Sequence, residues 1–213
     1  MAISRRQLLS GLGVAALGVI AAPIIKSKLQ SNTQLAHSSK TYGPDYFPNV
    51  TLTTHNRKQV KFYDDLMKDK FVVINMIYAQ CSEGVCPVST MNMRQVQKAL
   101  GDRVGRDIHM YSISLLPEHD TPEVLKRYAD QFGVGAGWEF LTGTQADIEI
   151  VRRKLGFYDL DPNVDKDITQ HAGVVRIGYD AYDKWMMAPA LGSHHSILQV
   201  IQHADRSHLT VRT

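Results

Sequence analysis

Cys81 and Cys86 are the two cysteines of the chain and its most reactive side chains. They follow Phe71-Val72-Val73-Ile74-Asn75-Met76-Ile77-Tyr78, a nearly continuous apolar run that reads as a central strand buried on both faces. They precede Pro87, which suits the first turn of a helix because its missing N–H costs nothing there. Three chemistries are open to such a pair: a structural disulfide in an oxidising compartment, a dithiol–disulfide couple, or a thiolate metal site. Position weighs on the choice. If Cys86 caps the helix that Pro87 begins, the helix dipole stabilises its thiolate, and a redox or metal site uses an acidic thiol where a structural staple does not. Residues five apart on a helix lie about 140° apart around its axis, so one continuous helix cannot aim both sulfurs at one point. Cys81 is therefore expected in the loop, folded back over the helix start, where it can pair with Cys86 or share a metal with it.

The elements around this junction alternate. The helix after Pro87 is expected to carry Val88, Met91, Val96 and Leu100 and to stop near Gly101. A strand follows over Ile108 to Ser114. Thr121, Pro122 and Glu123 open a second helix as N-cap, first helical residue and first-turn acid, and that helix ends at Gly133. Glu139 to Thr142 reads as a short strand, Gln145 to Leu155 as a helix closed by Gly156, and residues 157–170 as a loop. His171 to Ile177 reads as a strand with Lys184 to Met187 as its hairpin partner, and Ser193 caps a last helix through Ile197, Val200 and Ile201. Strands alternating with helices of this length imply an α/β fold with crossover helices flanking one sheet.

The 213 residues and 44% hydrophobic content suffice for one well-buried domain plus extra segments. Much of the formal charge of +3 sits at Arg5 and Arg6, which leaves a near-neutral remainder and no basic cluster; nucleic-acid binding is excluded on that ground. Residues 1–25 differ from the rest. Arg5 and Arg6 precede an apolar run from Leu8 to Ile25 that contains the small residues Ala21-Ala22, the composition of a secretory signal, and the paired arginines before Leu8-Leu9 resemble the twin-arginine class. The run is also near the lower length for a membrane anchor. The expected organisation is a signal or anchor over residues 1–25, a polar linker over 26–41 and a folded domain over 42–205. The expected location is the periplasm or cell envelope, soluble or held at the inner membrane.

At the motif level the chain resembles the Sco/SenC family, thioredoxin-like copper proteins of cytochrome c oxidase assembly. Tyr78-Ala79-Gln80-Cys81-Ser82-Glu83-Gly84-Val85-Cys86-Pro87 corresponds to that family's cysteine loop. Ser114-Leu115-Leu116-Pro117-Glu118-His119-Asp120-Thr121-Pro122 resembles its segment leading into a helix. Phe140-Leu141-Thr142-Gly143 matches its strand ending in Thr-Gly, and Gln170-His171 falls where the family places a distal histidine. The resemblance implies a thioredoxin-like fold with a mixed central sheet, and copper ligation by Cys81, Cys86 and His171. Soft thiolates favour Cu(I), and an added imidazole keeps Cu(II) acceptable. It also implies a metallochaperone whose partner is a copper-accepting oxidase subunit or related copper enzyme. The alternative is a thiol–disulfide oxidoreductase that cycles Cys81 and Cys86 against partner cysteines. Three positions depart from the family pattern: four residues rather than three separate the cysteines, Leu116 stands for an Asp, and Gln170 stands for another.

Other candidates have plainer readings. Met91 and Met93 offer thioethers, but Met91 reads as core packing and Met93 as a surface or groove residue; Met186-Met187 is weaker still. Asp64 and Asp65 read as a turn, His194-His195 as a solvated helix start, and Trp138 and Trp185 as packing. No Ser-His-Asp arrangement, phosphate-binding loop, dinucleotide fingerprint or peroxidase cysteine motif is present.

Overall fold

The computed structural model describes residues 41–81, 84–167 and 173–205. The expected signal and linker, the loop residues Ser82 and Glu83, and Gln170 and His171 lie outside the described residues.

Seven strands form one mixed sheet: β1 (Thr51–Thr54), β2 (Gln59–Lys61), β3 (Phe71–Ile77), β4 (Ile108–Ser114), β5 (Trp138–Thr142), β6 (Val174–Tyr179) and β7 (Lys184–Pro189), in the spatial order β2-β1-β5-β4-β3-β6-β7. β3, β4 and β5 run parallel, and β6 pairs antiparallel on the other side of β3. All seven residues of β3 are buried, which is why the sequence there is apolar without alternation. The helices are α1 (Val85–Leu100), α2 (Pro122–Gln131), α3 (Gln145–Lys154) and α4 (His194–Ala204). The α/β expectation holds, with a mixed sheet flanked by helices.

The element ends follow local chemistry. Thr121, Thr144 and Ser193 each cap a helix by accepting a backbone N–H from the first turn, and Pro122 sits in the first turn of α2. α1 differs from the expectation at its start. Gly84, in the left-handed region at φ 79°, is its N-cap, so the helix begins at Val85 and Pro87 is its third residue.

The inward face of α1 is also a correction. It consists of Cys86, Ser89, Thr90, Met93, Val96 and Gln97, whereas Val88 and Met91 are exposed and Met93 is fully buried. Small polar side chains occupy core positions because each finds a partner. Asn75 Nδ2 donates to Ser89 Oγ at 3.1 Å, Thr90 and the Tyr128 hydroxyl share a hydrogen bond of 3.0 Å, and Gln97 Nε2 donates to the Gly135 carbonyl at 3.0 Å. A search for apolar residues alone selects the wrong phase. The Ser89–Asn75 link continues into the sheet, where Ser112 Oγ donates to Asn75 Oδ1 at 2.7 Å and Trp138 Nε1 donates to Ser112 Oγ at 2.9 Å.

Two further differences concern segments read as irregular. Asp64 and Asp65 lie in a wide helical turn, Phe62–Met67, that buries Phe62, Tyr63, Leu66 and Met67. The expected loop 157–170 contains a helical turn, Pro162–Asp165, capped by Asp161, and Arg152 of α3 holds Asp165 at 2.7 Å and the Phe157 carbonyl at 2.8 Å. β6 spans Val174–Tyr179, and the start expected for this strand at His171 lies outside the described residues. Trp138 and Trp185 pack as read. Trp185 lies 4.8 Å from the Phe47 ring and covers Gly178, where any Cβ would meet the indole at 1.9 Å.

Candidate metal centre

The cysteine loop leaves the C-terminal end of β3 and returns as the first turn of α1. Cys86 is the second residue of that helix and is fully buried, while Cys81 is half-buried in the loop. The Cys86 backbone N–H donates to Cys81 Sγ at 3.5 Å, so the loop sulfur sits over the helix start as the geometric argument requires. Tyr78 N–H in turn donates to Cys86 Sγ at 3.5 Å. Neither cysteine is in a disulfide.

The expectation of an acidic Cys86 fails. Burial pushes its thiol up to about 12, aided by the hydrogen bond with Cys81 and the nearby charges of Cys81 and Asp120; the Tyr78 N–H works the other way. A helix end contributes about 0.3–1 kcal/mol to a neighbouring charge, too little to offset removal of the thiolate from water. Metal-free Cys86 is therefore a thiol at neutral pH, and a metal bound there displaces its proton.

Asp120 belongs to the same site, although the sequence reading gave it no role. It is 1% exposed and accepts the Ser114 hydroxyl at 2.6 Å and the Ala79 N–H at 3.1 and 3.3 Å, one contact to each carboxylate oxygen. Burial raises its carboxyl above the ordinary range although both donors oppose the shift. The signal that points to it is its place in the Asp120-Thr121-Pro122 motif. Leu116, standing where the family has an Asp, heads the turn that delivers Asp120, whose N–H donates to the Leu116 carbonyl at 2.9 Å.

Among the described residues, no three His, Cys, Asp or Glu side chains gather as a metal site. Two thiols are in place, and His171, the third ligand expected from the sequence, lies outside the described residues. The fold constrains where the segment containing His171 rejoins the sheet. β6 pairs Val175 with Asn75, so the chain enters β6 beside the end of β3 from which the cysteine loop departs. Asn92 of α1 donates to the carbonyls of Ala190 and Gly192 at 2.9 and 2.7 Å, and Ala190 N–H donates to the Gly173 carbonyl at 2.8 Å. Gly173, two residues after His171, is thereby tied to the helix that carries Cys86.

The remaining candidates do not join the cysteines. Met91 is 51% exposed, and Met93 is buried among the core side chains under the sheet. Met186 and Met187 belong to β7. The His194 and His195 rings lie 4.1 Å apart at the start of α4, where the Ser193 hydroxyl bonds His195.

Comparison with known proteins agrees with this geometry. The SCO1/SenC family pattern matches residues 38–181. A SCO1 protein homolog from Bacillus subtilis is 34% identical over 85 residues, covering 39% of this chain and 43% of the relative. The mitochondrial protein SCO2 of Saccharomyces cerevisiae is 27% identical over 150 residues, covering 67% of this chain and 46% of the relative. The matched regions therefore span less than half the length of these curated relatives. The crystal structure of yeast Sco1 with copper bound superposes with a TM-score of 0.58 at 16% identity, covering 81% of this chain and 97% of that one. With the match extending over most of the folded region, the cysteine loop at a strand–helix junction and the mixed sheet both in place, the chain belongs to the SCO1/SenC family.

Proposed function

We propose that the protein is a copper-binding assembly factor that holds one copper ion through Cys81, Cys86 and His171 and passes it to an oxidase subunit or related copper enzyme. One observation carries the reading: the Cys86 N–H donates to Cys81 Sγ at the end of β3, which lies beside the start of β6. Membership of the SCO1/SenC family and the likeness to a copper-bound yeast protein support it. Half-buried Cys81 gives the ion a route in and out, and Cys86 anchors the inner side. Two thiolates suit Cu(I), and the imidazole adds the harder ligand that Cu(II) needs.

The same pair supports a second reading as a thiol–disulfide oxidoreductase, because the two sulfurs are close enough to communicate through one hydrogen bond. In that reading half-buried Cys81 is the sulfur a partner thiol can reach, and buried Cys86 is the one that closes the disulfide. Cell-envelope location belongs to the proposal through Arg5, Arg6 and the apolar run to Ile25, acting as a signal or an inner-membrane anchor. Changing both arginines to lysine should stop export of a reporter fused after residue 45; unaltered export would reject the twin-arginine route.

The two readings separate at His171. The His171→Ala protein should lose Cu(II) binding and its thiolate-to-copper absorption, while Cys81 and Cys86 still form and break a disulfide. Retention of the full Cu(II) spectrum in that variant would remove His171 from the site. Full thiol reductase activity in a wild-type protein that takes up no copper would establish the oxidoreductase reading.

A further inference from the structure

Half-buried Cys81 marks the opening of the metal centre, and the surface differs on its two sides. Toward Asp120 the neighbouring loop exposes Glu118 and His119. Toward α1, Glu83 is the one charged residue from Tyr78 to Met93, and residues 185–193, which lead from β7 to α4, contain no Asp, Glu, Lys or Arg.

Exposed apolar side chains stand in this uncharged zone. Val88 and Met91 are 38% and 51% exposed and share the outer face of α1, where residues three or four apart are neighbours. Val88 is two residues beyond Cys86, about 3 Å along the helix axis, and the Cys86 N–H is the group that holds Cys81 Sγ. Leu191, 46% exposed, comes from the loop between β7 and α4. Asn92, four residues after Val88, fixes that loop on α1 by donating to the carbonyls on either side of Leu191, those of Ala190 and Gly192, at 2.9 and 2.7 Å. Leu191 also reaches Gly173, where a Cβ would meet Leu191 Cδ1 at 3.9 Å. The three side chains thus form one apolar patch on a braced base beside the cysteine loop.

Apolar residues scattered singly over a surface carry no meaning, but contiguous ones mark contact sites. Depletion of charge with methionine present is the composition of an interface core, and a flexible thioether packs against a surface that comes and goes. Delivery of an ion adds a geometric requirement. A ligand of the acceptor and the sulfur of Cys81 must touch the same ion, so the acceptor's surface has to cover what stands beside Cys81.

We infer that, in the copper delivery proposed above, the accepting protein docks through an apolar, uncharged rim of its own on Val88, Met91 and Leu191, and not on the Glu118–His119 side. The patch supplies contact area and no copper ligand.

Stopped-flow transfer of Cu(I) from the loaded full-length protein to the copper-free soluble domain of the oxidase subunit tests the inference. Transfer to bathocuproine disulfonate, a small chelator that needs no docking surface, is the reference. Met91→Glu and Leu191→Asp, both at exposed positions, should each slow delivery to the domain by about tenfold or more, while Cu(I) affinity and the rate to the chelator keep their wild-type values. Met91→Leu keeps the apolar contact without the sulfur and should deliver at the wild-type rate, as should Glu118→Lys. Raising NaCl from about 50 to about 500 mM should change the wild-type rate by less than about twofold, since an uncharged contact gains nothing from electrostatic steering. Undiminished delivery by Met91→Glu and Leu191→Asp, equal slowing toward the chelator, or a Met91→Leu protein as slow as Met91→Glu would each overturn the inference alone. A wild type that binds Cu(I) and passes none to the domain would overturn it together with the choice of acceptor, and one that takes up no copper would overturn it together with the copper reading.

Discussion

Asp120 grips Ala79. Both oxygens of a carboxylate that is 1% exposed accept the one backbone N–H of Ala79, at 3.1 and 3.3 Å, two residues before Cys81. Ser114, the last residue of β4, donates to the same carboxylate, so the exits of β3 and β4 are tied together where the cysteine loop starts. The loop sulfur is thus set by a side chain 39 positions away in sequence that is not itself a proposed ligand.

Replacing Asp120 by Ala leaves the Ala79 N–H and the Ser114 hydroxyl without their acceptor. Stability should fall by about 1–3 kcal/mol in urea unfolding. Copper affinity, read by competition with a chromophoric chelator, should fall by about 10–100-fold, as is usual when the partner that orients a ligand is removed. Asp120→Asn keeps one acceptor oxygen and should recover part of both losses. A copper affinity unchanged in Asp120→Ala would detach this residue from the site.

The Cys86 thiol sets a pH dependence. Its ordinary value of 9.0 is raised to about 12 in the folded protein. Between those values the unfolded chain has lost the proton and the folded chain keeps it, so the folded state binds more protons and stability falls as pH rises from 9 toward 12. Below pH 9 this contribution is fully present. Tyr63, also raised to about 12, acts in the same sense from its own ordinary value of 10.0. Metal-free Cys86→Ala should therefore decline less steeply above pH 9 than the wild type in denaturant melts. Equal slopes would contradict a buried thiol.

The chain of hydrogen bonds from Trp138 through Ser112 and Asn75 to Ser89 joins β5, β4, β3 and α1 inside the core. Ser112→Ala removes its centre and leaves the Trp138 indole N–H and the Asn75 oxygen unpaired. The expected cost is about 1–3 kcal/mol, accompanied by a change in tryptophan emission. A neutral Ser112→Ala would mean that this network does not help to fix α1 on the sheet.

Much of this was legible in the sequence, and the failures share a cause. β3, β4 and the capped starts of α2, α3 and α4 are written locally, in apolar runs and in Thr or Ser before the first helical turn. The position of Cys81 over the start of α1 followed from helix geometry alone. What failed depended on partners distant in sequence. Ser89, Thr90 and Gln97 are buried because Asn75, Tyr128 and Gly135 meet them, so the face of α1 was misread and Met91 and Met93 exchanged roles. The Cys86 thiol was misjudged because burial is a property of the assembled core, while the helix dipole is visible in the local sequence. β1, β2 and the turn Phe62–Met67 are too short and mixed in composition to announce themselves. Asp120 stood in a motif whose physical role appears only when β3 and β4 lie side by side.

Gly137 shows how tightly the loops at the far end of the sheet are packed. Its φ is +81°, and a Cβ there would lie 2.4 Å from the Gly105 nitrogen, backbone against backbone. Gly137→Ala should cost at least about 2 kcal/mol through strain and overpacking, measured as a lower urea midpoint. Tolerance of alanine would mean that the two loops stand further apart.

The measurement closest to the central claim is an anaerobic equilibrium titration of the reduced full-length protein with copper, in which stoichiometry and affinity are read together. The wild type should bind one ion per chain in either oxidation state. Cys81→Ser and Cys86→Ser should each lose Cu(I) and Cu(II) affinity by well over tenfold, and His171→Ala should lose Cu(II) while retaining part of its Cu(I) affinity. A reduced wild-type protein that takes up no copper, or cysteine variants that bind it as tightly as the wild type, would contradict the account.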